Sequence, residues 1–184
     1  ISWVPKVLGS IEAGAKVTIT DIDAQKLEAM RQQYGVAGAA VDEIHTLPVD
    51  VYCPCALGGV INDRSLPEFH CRIIAGSANN QLKDPEKDGV EIERRGILYA
   101  PDYITNAGGT IFDTDRINPG GFNAERAWAN VLRIYETTAK VIAIAKKERI
   151  PTYLAADRLA EERIAQVRNV KGLATHGSVL REAM

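Results

Sequence analysis

The run Lys16-Val-Thr-Ile-Thr-Asp-Ile-Asp23 constrains this chain more than any other stretch. Its β-branched residues predict a buried strand, Lys16–Ile22, that ends on carboxylates, and a helical pattern begins at once behind it. A strand handing over to a helix through an acidic edge belongs to doubly wound α/β domains. There, a carboxylate at the strand's C-terminal end can accept both hydroxyls of an adenosine ribose, which selects NAD over NADP. The usual companion of that carboxylate, a GxGxxG loop, does not stand upstream, and fifteen residues precede the strand. The stretch therefore reads as a nucleotide-binding domain without its front edge.

The pattern that follows supports an α/β class. Asp23 stands at an N-cap position, and Ala24–Tyr34 carries Leu27, Met30 and Tyr34 at helical spacing, closed by Gly35. Val36–Val41 reads as a weaker strand, with a short helix from Asp42. Val49–Cys55, Cys71–Gly76 and Ile97–Ala100 are further apolar runs, with a short helix near Ser65–Phe69. Strands alternating with helices imply a Rossmann-like, doubly wound and mostly parallel sheet. Beyond Asn106 the strands stop. Gly108-Gly109 and Pro119-Gly120-Gly121 frame a loop, and two long C-terminal helices are predicted, Glu125–Arg149 and Tyr153–Val170. Pro151 separates them. The tail after Gly172 reads as loose. We expect a cofactor-binding unit over 1–122 and helices over 123–184 that pack on it and reach towards a further domain.

Composition narrows the function classes. With 184 residues and a net charge of −2, the chain carries neither a nucleic-acid groove nor a polybasic membrane patch. Its apolar runs fall short of the roughly 20 residues that span a bilayer. Three cysteines without framework spacing suggest a reducing compartment, so a cytoplasmic location is expected.

Several strand ends could carry chemistry. Asp21 can face a ligand while Asp23 caps the helix, although either could be a cap only. The segment Cys53–Gly59 (CPCALGG) offers small residues that admit a flat ring or a pyrophosphate. A C-x-C pair lacks the spacing of a zinc site, so Cys53 and Cys55 read as buried apolar groups. Asn79 and Asn80 in Gly76–Gln81 either bind a polar ligand or knit a turn. Asn106 offers an amide just ahead of a glycine pair that permits close backbone approach. His45, His70 and His176 have no carboxylate or cysteine partner at ligand spacing and read as surface or helix-end residues. Trp128 and Tyr135 read as core.

Taken in order, TDID (Thr20–Asp23), CPCALG (Cys53–Gly58), AGSANNQL (Ala75–Leu82), GILYAPDYITNAGG (Gly96–Gly109) and IPTYLAADRLAEERI (Ile150–Ile164) resemble the cofactor domain of the Glu/Leu/Phe/Val dehydrogenases, within the leucine dehydrogenase-like branch. The resemblance covers Gly14 to about Asn169. It implies reversible NAD-dependent oxidative deamination of an L-amino acid, branched-chain or aromatic, to a 2-oxo acid and ammonium. It also implies a two-domain, homo-oligomeric enzyme with small-molecule partners and no metal. By resemblance, Asp21 holds the adenosine ribose with Ile22 beside it, and Ala56 and Leu57 pack near the adenosine half. Ala78 and Asn79 contact the nicotinamide side, Asn106 lies between nicotinamide and substrate, and Trp128, Val131 and Ile134 border the substrate side chain.

Two departures qualify this. The catalytic lysines of the family's substrate domain have no counterpart, since Lys6, Lys16 and Lys26 lie in the wrong context. ISWVPKVLGSIE stands where the first strand and its glycine loop belong. These residues alone are therefore expected to bind cofactor weakly and to turn over negligibly, and an unpaired strand edge would invite association. A non-catalytic NAD-binding or oligomerisation module is the alternative. A methyltransferase-like nucleotide enzyme would keep the acidic strand end and leave Asn106 unexplained.

Overall fold

The computed structural model describes residues 4–179, and the side chains of residues 7–168. In chain order the elements are α1 (Val4–Glu12), β1 (Thr18–Ile19), α2 (Ala24–Tyr34), β2 (Ala37–Gly38), β3 (Val51–Tyr52), β4 (Ile73–Ile74), α3 (Pro85–Arg94), β5 (Leu98–Tyr99), α4 (Asp102–Thr105), α5 (Gly108–Asp115), α6 (Ala124–Glu148) and α7 (Thr152–Val179). Strands alternate with helical elements and every strand pairing is parallel, so the α/β class holds.

The sheet is divided. β1 pairs with β2, while β3, β4 and β5 form a separate ladder in that order. In a doubly wound sheet the chain's first strand lies at the centre, between the two halves that wind outwards from it. Here α1 stands directly ahead of β1, and among the described residues no strand joins the β1–β2 pair to the β3–β5 ladder. The two halves therefore keep their internal pairing without a common ladder. α1 packs on this first pair through Val7, which meets Ile19, Met30 and Val36.

Local chemistry explains the helix ends. The Asp23 carboxylate accepts the Gln25 and Lys26 amides at the start of α2, and Gly35 closes that helix at φ 65°. Asp84 caps α3 by accepting the Lys87 amide, with Pro85 as its first residue. Asn123 caps α6 through the Arg126 amide. The cap that closes α2 and the long α6 both follow the sequence pattern.

Other segments depart from it. The strands are two residues long where four to seven were expected, because only the middle of each run meets a neighbour in register. The short helices near Asp42 and Ser65 are 3₁₀ turns at Ile44–Thr46 and Leu66–Glu68. α3 lies outside the elements expected from the pattern, although Asp84-Pro85 is a helix start signal. The loop expected after Asn106 holds α5, since Thr114 and its neighbours propagate a helix despite the opening glycines. The backbone of α7 runs on through Gly172 to Val179, so the tail is helical as far as it is described. His176 lies outside the described side chains.

The central core gathers Ile61, Leu66, Phe69, Ile74, Ile92 and Tyr99 between the β3–β5 ladder and α3. A second cluster joins α6 and α7 through Val141, Ala145, Ala155 and Ala156, whose small side chains let the helices approach. Trp128 and Tyr135, expected in the core, are 57% and 82% exposed on α6. The stripe that α6 buries runs instead through Ala127, Val141 and Ala145, because those positions face α5 and α7.

The turn from α5 into α6 is held by one ion pair. Arg126 Nε and Nη2 donate to Asp115 Oδ1 and Oδ2 at 2.7 and 2.8 Å, and Arg126 also reaches the Gly121 carbonyl. Asp115 further accepts the Asn123 amide. The guanidinium hydrogen bonds and that amide hold the Asp115 carboxyl below the usual carboxylate range. A depressed folded pKa stabilises the fold above the unfolded value and loses that stabilisation as pH falls through the folded one. We expect Asp115→Asn to lower the melting temperature at neutral pH, and the gap from wild type to shrink as the pH is taken into the acid range, followed by circular dichroism.

Candidate functional site

In the β3–β5 ladder the parallel strands send their C-terminal ends to one edge, where three loops meet. The loop after β3 (53–59) and the loop after β4 (76–81) lie side by side. Pro54 accepts the Ala78 amide at 3.0 Å, Gly59 donates to the Asn80 carbonyl at 2.8 Å and Ile61 donates to the Gln81 carbonyl at 3.1 Å. Their contact explains two glycines. A Cβ at Gly76 would lie 2.0 Å from the Pro54 oxygen, and one at Gly58 would lie 2.6 Å from the Asn79 oxygen. Both glycines therefore serve loop-to-loop packing. Gly108 and Gly109 do have open space where a Cβ would project.

The third segment, α4, is bolted to the second loop. The Asp102 carboxylate accepts the Asn80 amide at 2.7 Å and the Tyr99 hydroxyl at 2.9 Å. Thr105 donates its hydroxyl to the Gly76 carbonyl at 2.9 Å. Asn106 Nδ2 donates to Asn79 Oδ1 at 2.6 Å. Asn79 and Asn106, given separate strand ends in the sequence, therefore share one cluster. Asn80 is the turn-former of the pair, at φ 52°. Burial, then the charge of Asp102, pushes the Tyr99 phenol far above its ordinary range, so it remains a donor.

The remaining expected residues fall as follows. Asp21 follows β1, half-buried, and its Oδ1 accepts the Asp23 amide at 2.9 Å. Asp23 does the capping, as anticipated. Ile22 is 89% exposed and Leu57 75% exposed, and Ala56 is exposed too, while Ala78 is buried. Ile134 lines a groove of about 290 Å³ between α4, α5 and α6, with Tyr103, Ile104, Asn130 and Arg133. Val131 is half-buried nearby on α6 and does not line it. Trp128 sits edge-on to Phe112 at 6.3 Å.

Two expectations are corrected. Cys53 is exposed and Cys55 half-exposed, because the strand's ladder ends at Tyr52 and the chain leaves the core. Only Cys71 is the buried thiol. His45 does have a carboxylate partner: its Nε2 lies 2.6 Å from Glu68, brought there by the fold from 23 residues away. Asp102 was missed as a site residue. Its signal was present, since it stands directly behind a strand end and a proline, in reach of Tyr99. No group of His, Cys, Asp and Glu among the described residues could hold a metal ion, and no described helix is long and apolar enough to cross a membrane.

Parallel strands, helices between them and polar loops converging at the strands' C-terminal ends define a Rossmann-type α/β architecture. Within that class the chain belongs to the Glutamate/Leucine/Phenylalanine/Valine dehydrogenase family, whose profile matches residues 11–172. It is 47% identical over 156 residues to leucine dehydrogenase from Bacillus cereus, which covers 85% of this chain and 42% of that protein. The crystal structure of L-tryptophan dehydrogenase from Nostoc punctiforme superposes with a TM-score of 0.80 at 38% identity, over 84% of this chain and 45% of the other. A glutamate dehydrogenase from Peptoniphilus asaccharolyticus shares the fold at 22% identity and a TM-score of 0.54, over 82% of this chain and 35% of that one. The chain thus spans less than half the length of these relatives.

The bolts predict a localised lesion. Asp102→Ala leaves the Asn80 amide and the Tyr99 hydroxyl without their acceptor, at a cost of about 1–3 kcal/mol by urea unfolding. Ultraviolet titration should show the most elevated tyrosine pKa moving down, while remaining above ordinary because burial is its larger cause.

Proposed function

We propose that these residues are the cofactor half of an NAD-dependent L-amino-acid dehydrogenase, which deaminates a branched-chain or aromatic amino acid to a 2-oxo acid and ammonium. The observation that carries the reading is Asp21. It stands at the C-terminal end of a parallel strand and is spared helix capping by Asp23. Its second carboxylate oxygen takes no hydrogen bond from a described residue. Such an oxygen suits a ribose hydroxyl and repels a 2′-phosphate, which favours NAD over NADP.

Orphaned polar atoms support the fit. Thr20 Oγ1, beside Asp21, and Ser77 Oγ and Gln81 Oε1, in the loop after β4, are buried without a hydrogen-bond partner. Buried groups of this kind cost free energy until something satisfies them, and two strand ends of a nucleotide-binding architecture are where a dinucleotide would do so. Bound NAD would supply the hydride acceptor. Ile22, Ala56 and Leu57 would flank its adenosine half, and Ala78 and Asn79 its nicotinamide side. The exposure of Ile22 and Leu57 leaves apolar surface for an adenine to cover.

Asn106 would orient the substrate's amine or carboxylate. Its amide geometry is fixed by donation to Asn79 Oδ1, which leaves its own oxygen to accept from an ammonium. Val131 and Ile134 would meet the substrate side chain from α6. The catalytic lysines would come from a companion domain, towards which the helices after residue 122 extend. A homo-oligomeric, cytoplasmic enzyme completes the reading.

Asp21→Ala is expected to weaken NAD binding about 10- to 100-fold, the worth of hydrogen bonds to a charged acceptor, with a small fall in melting temperature because the Asp23 amide loses its acceptor. Titration calorimetry reads this directly, and unaltered affinity would remove Asp21 from the site. Production of reduced cofactor by the parent polypeptide with NAD and a panel of branched-chain and aromatic amino acids, followed by absorbance, tests the reaction. No turnover on any of them would favour the non-catalytic binding module.

A further inference from the structure

The sulfurs of Cys53 and Cys55 lie 3.5 Å apart at the point where the chain leaves β3. One thiol is exposed and the other half-exposed, so both are within reach of a dissolved oxidant. The residue between them is not on the surface. Pro54 is buried, and its carbonyl accepts the Ala78 amide at 3.0 Å. Its oxygen also occupies the space that a side chain at residue 76 would need. A pair of accessible thiols thus straddles the residue that locks two strand-end loops together.

We propose that Cys53 and Cys55 form a reversible intramolecular disulfide, making the CPC turn a peroxide-sensitive modification site. One thiolate attacks a peroxide O–O bond, giving a sulfenic acid and releasing one oxygen as water. The second thiolate attacks the sulfenic sulfur, forms the S–S bond and expels the other oxygen as water. The two sulfurs together give up two electrons and their two protons, and the peroxide takes them. A dithiol reductant reverses the step.

Closure has a structural consequence. A disulfide bond is about 2.05 Å long, so the sulfurs must approach by about 1.5 Å, and the small ring that results runs through Pro54. Tightening that ring turns the Pro54 peptide, whose carbonyl is the acceptor for Ala78. The strain passes to the loop that carries Ala78 and Asn79, and hence to the partner of Asn106. Resting on the cofactor reading of that loop, oxidation lowers the occupancy of the nicotinamide side. The disulfide itself does not depend on that reading.

The test uses the 184-residue chain and stoichiometric hydrogen peroxide, with Cys71 as a buried internal control. Trypsin leaves Cys53 and Cys55 together in Gln32–Arg64 and Cys71 apart in Ser65–Arg72. The expected result is that the first peptide loses the mass of two hydrogens, that dithiothreitol restores it, and that the second is unchanged. Cys53→Ser should instead accumulate oxygen adducts or mixed disulfides at Cys55, with no two-hydrogen loss. Oxygen adducts on the wild-type peptide without that loss, or a bridge to Cys71 or to a second copy, would overturn the proposal. Hydrogen exchange at Ala78 reads the coupling without any cofactor. Faster exchange after oxidation is expected in the wild type and not in Cys53→Ser, and equal rates in a chain proven to carry the disulfide would overturn the link to the second loop. NAD binding by the reduced chain separately judges the cofactor reading.

Discussion

The Asp102 carboxylate is the contact on which the rest of the candidate site depends. One oxygen takes the Asn80 amide and the other the Tyr99 hydroxyl, so a single charge ties β5 to the loop after β4. That loop is locked on its other side to the loop after β3, through Pro54 and Gly59. Three strand ends are therefore tied to one another. A carboxylate accepting two hydrogen bonds holds its partners more firmly than a neutral group would, because charge-assisted bonds are the stronger kind. The geometry in which Asn106 meets Asn79 follows from this.

Much of this cluster is internal support. Asp102, Thr105, Gly58 and Gly76 fix the loops against each other. The groups left with spare bonding capacity, Asp21 Oδ2, Ser77 Oγ and Gln81 Oε1, lie at the strand ends where such a fold meets its ligands. The buried side-chain atoms without a partner among the described residues, Thr20 Oγ1 included, lie beside β1 and after β4. The α5–α6 turn repeats the principle with Asp115, which spends its bonds on Arg126, Asn118 and Asn123.

How much of this was legible in the sequence depends on the range of the interaction. Asp23 as a cap and Gly35 as a helix end are decided within four residues, and the chain spells them out. The parallel strands were legible as β-branched runs, though their lengths were overstated, since pairing needs a neighbour and the pattern records only burial. The cysteines show the limit. Composition made both Cys53 and Cys55 small apolar groups, yet the ladder stops one residue earlier and turns them outwards. Likewise, Trp128 and Tyr135 fit an apolar stripe, but the stripe that α6 buries is chosen by the small residues facing α5 and α7.

The sequence by itself determined the α/β alternation, the caps, the acidic end of β1 and the ordered motifs that mark the family, because each is written in neighbouring residues. Only the tertiary structure decided that the sheet falls into two ladders and that Asn79 and Asn106 touch. It alone showed that His45 finds Glu68 and that Gly58 and Gly76 let two loops pack together. Those contacts join residues from about 20 to 30 positions apart, and their partners are set by how strands stack, a relation that no local pattern encodes.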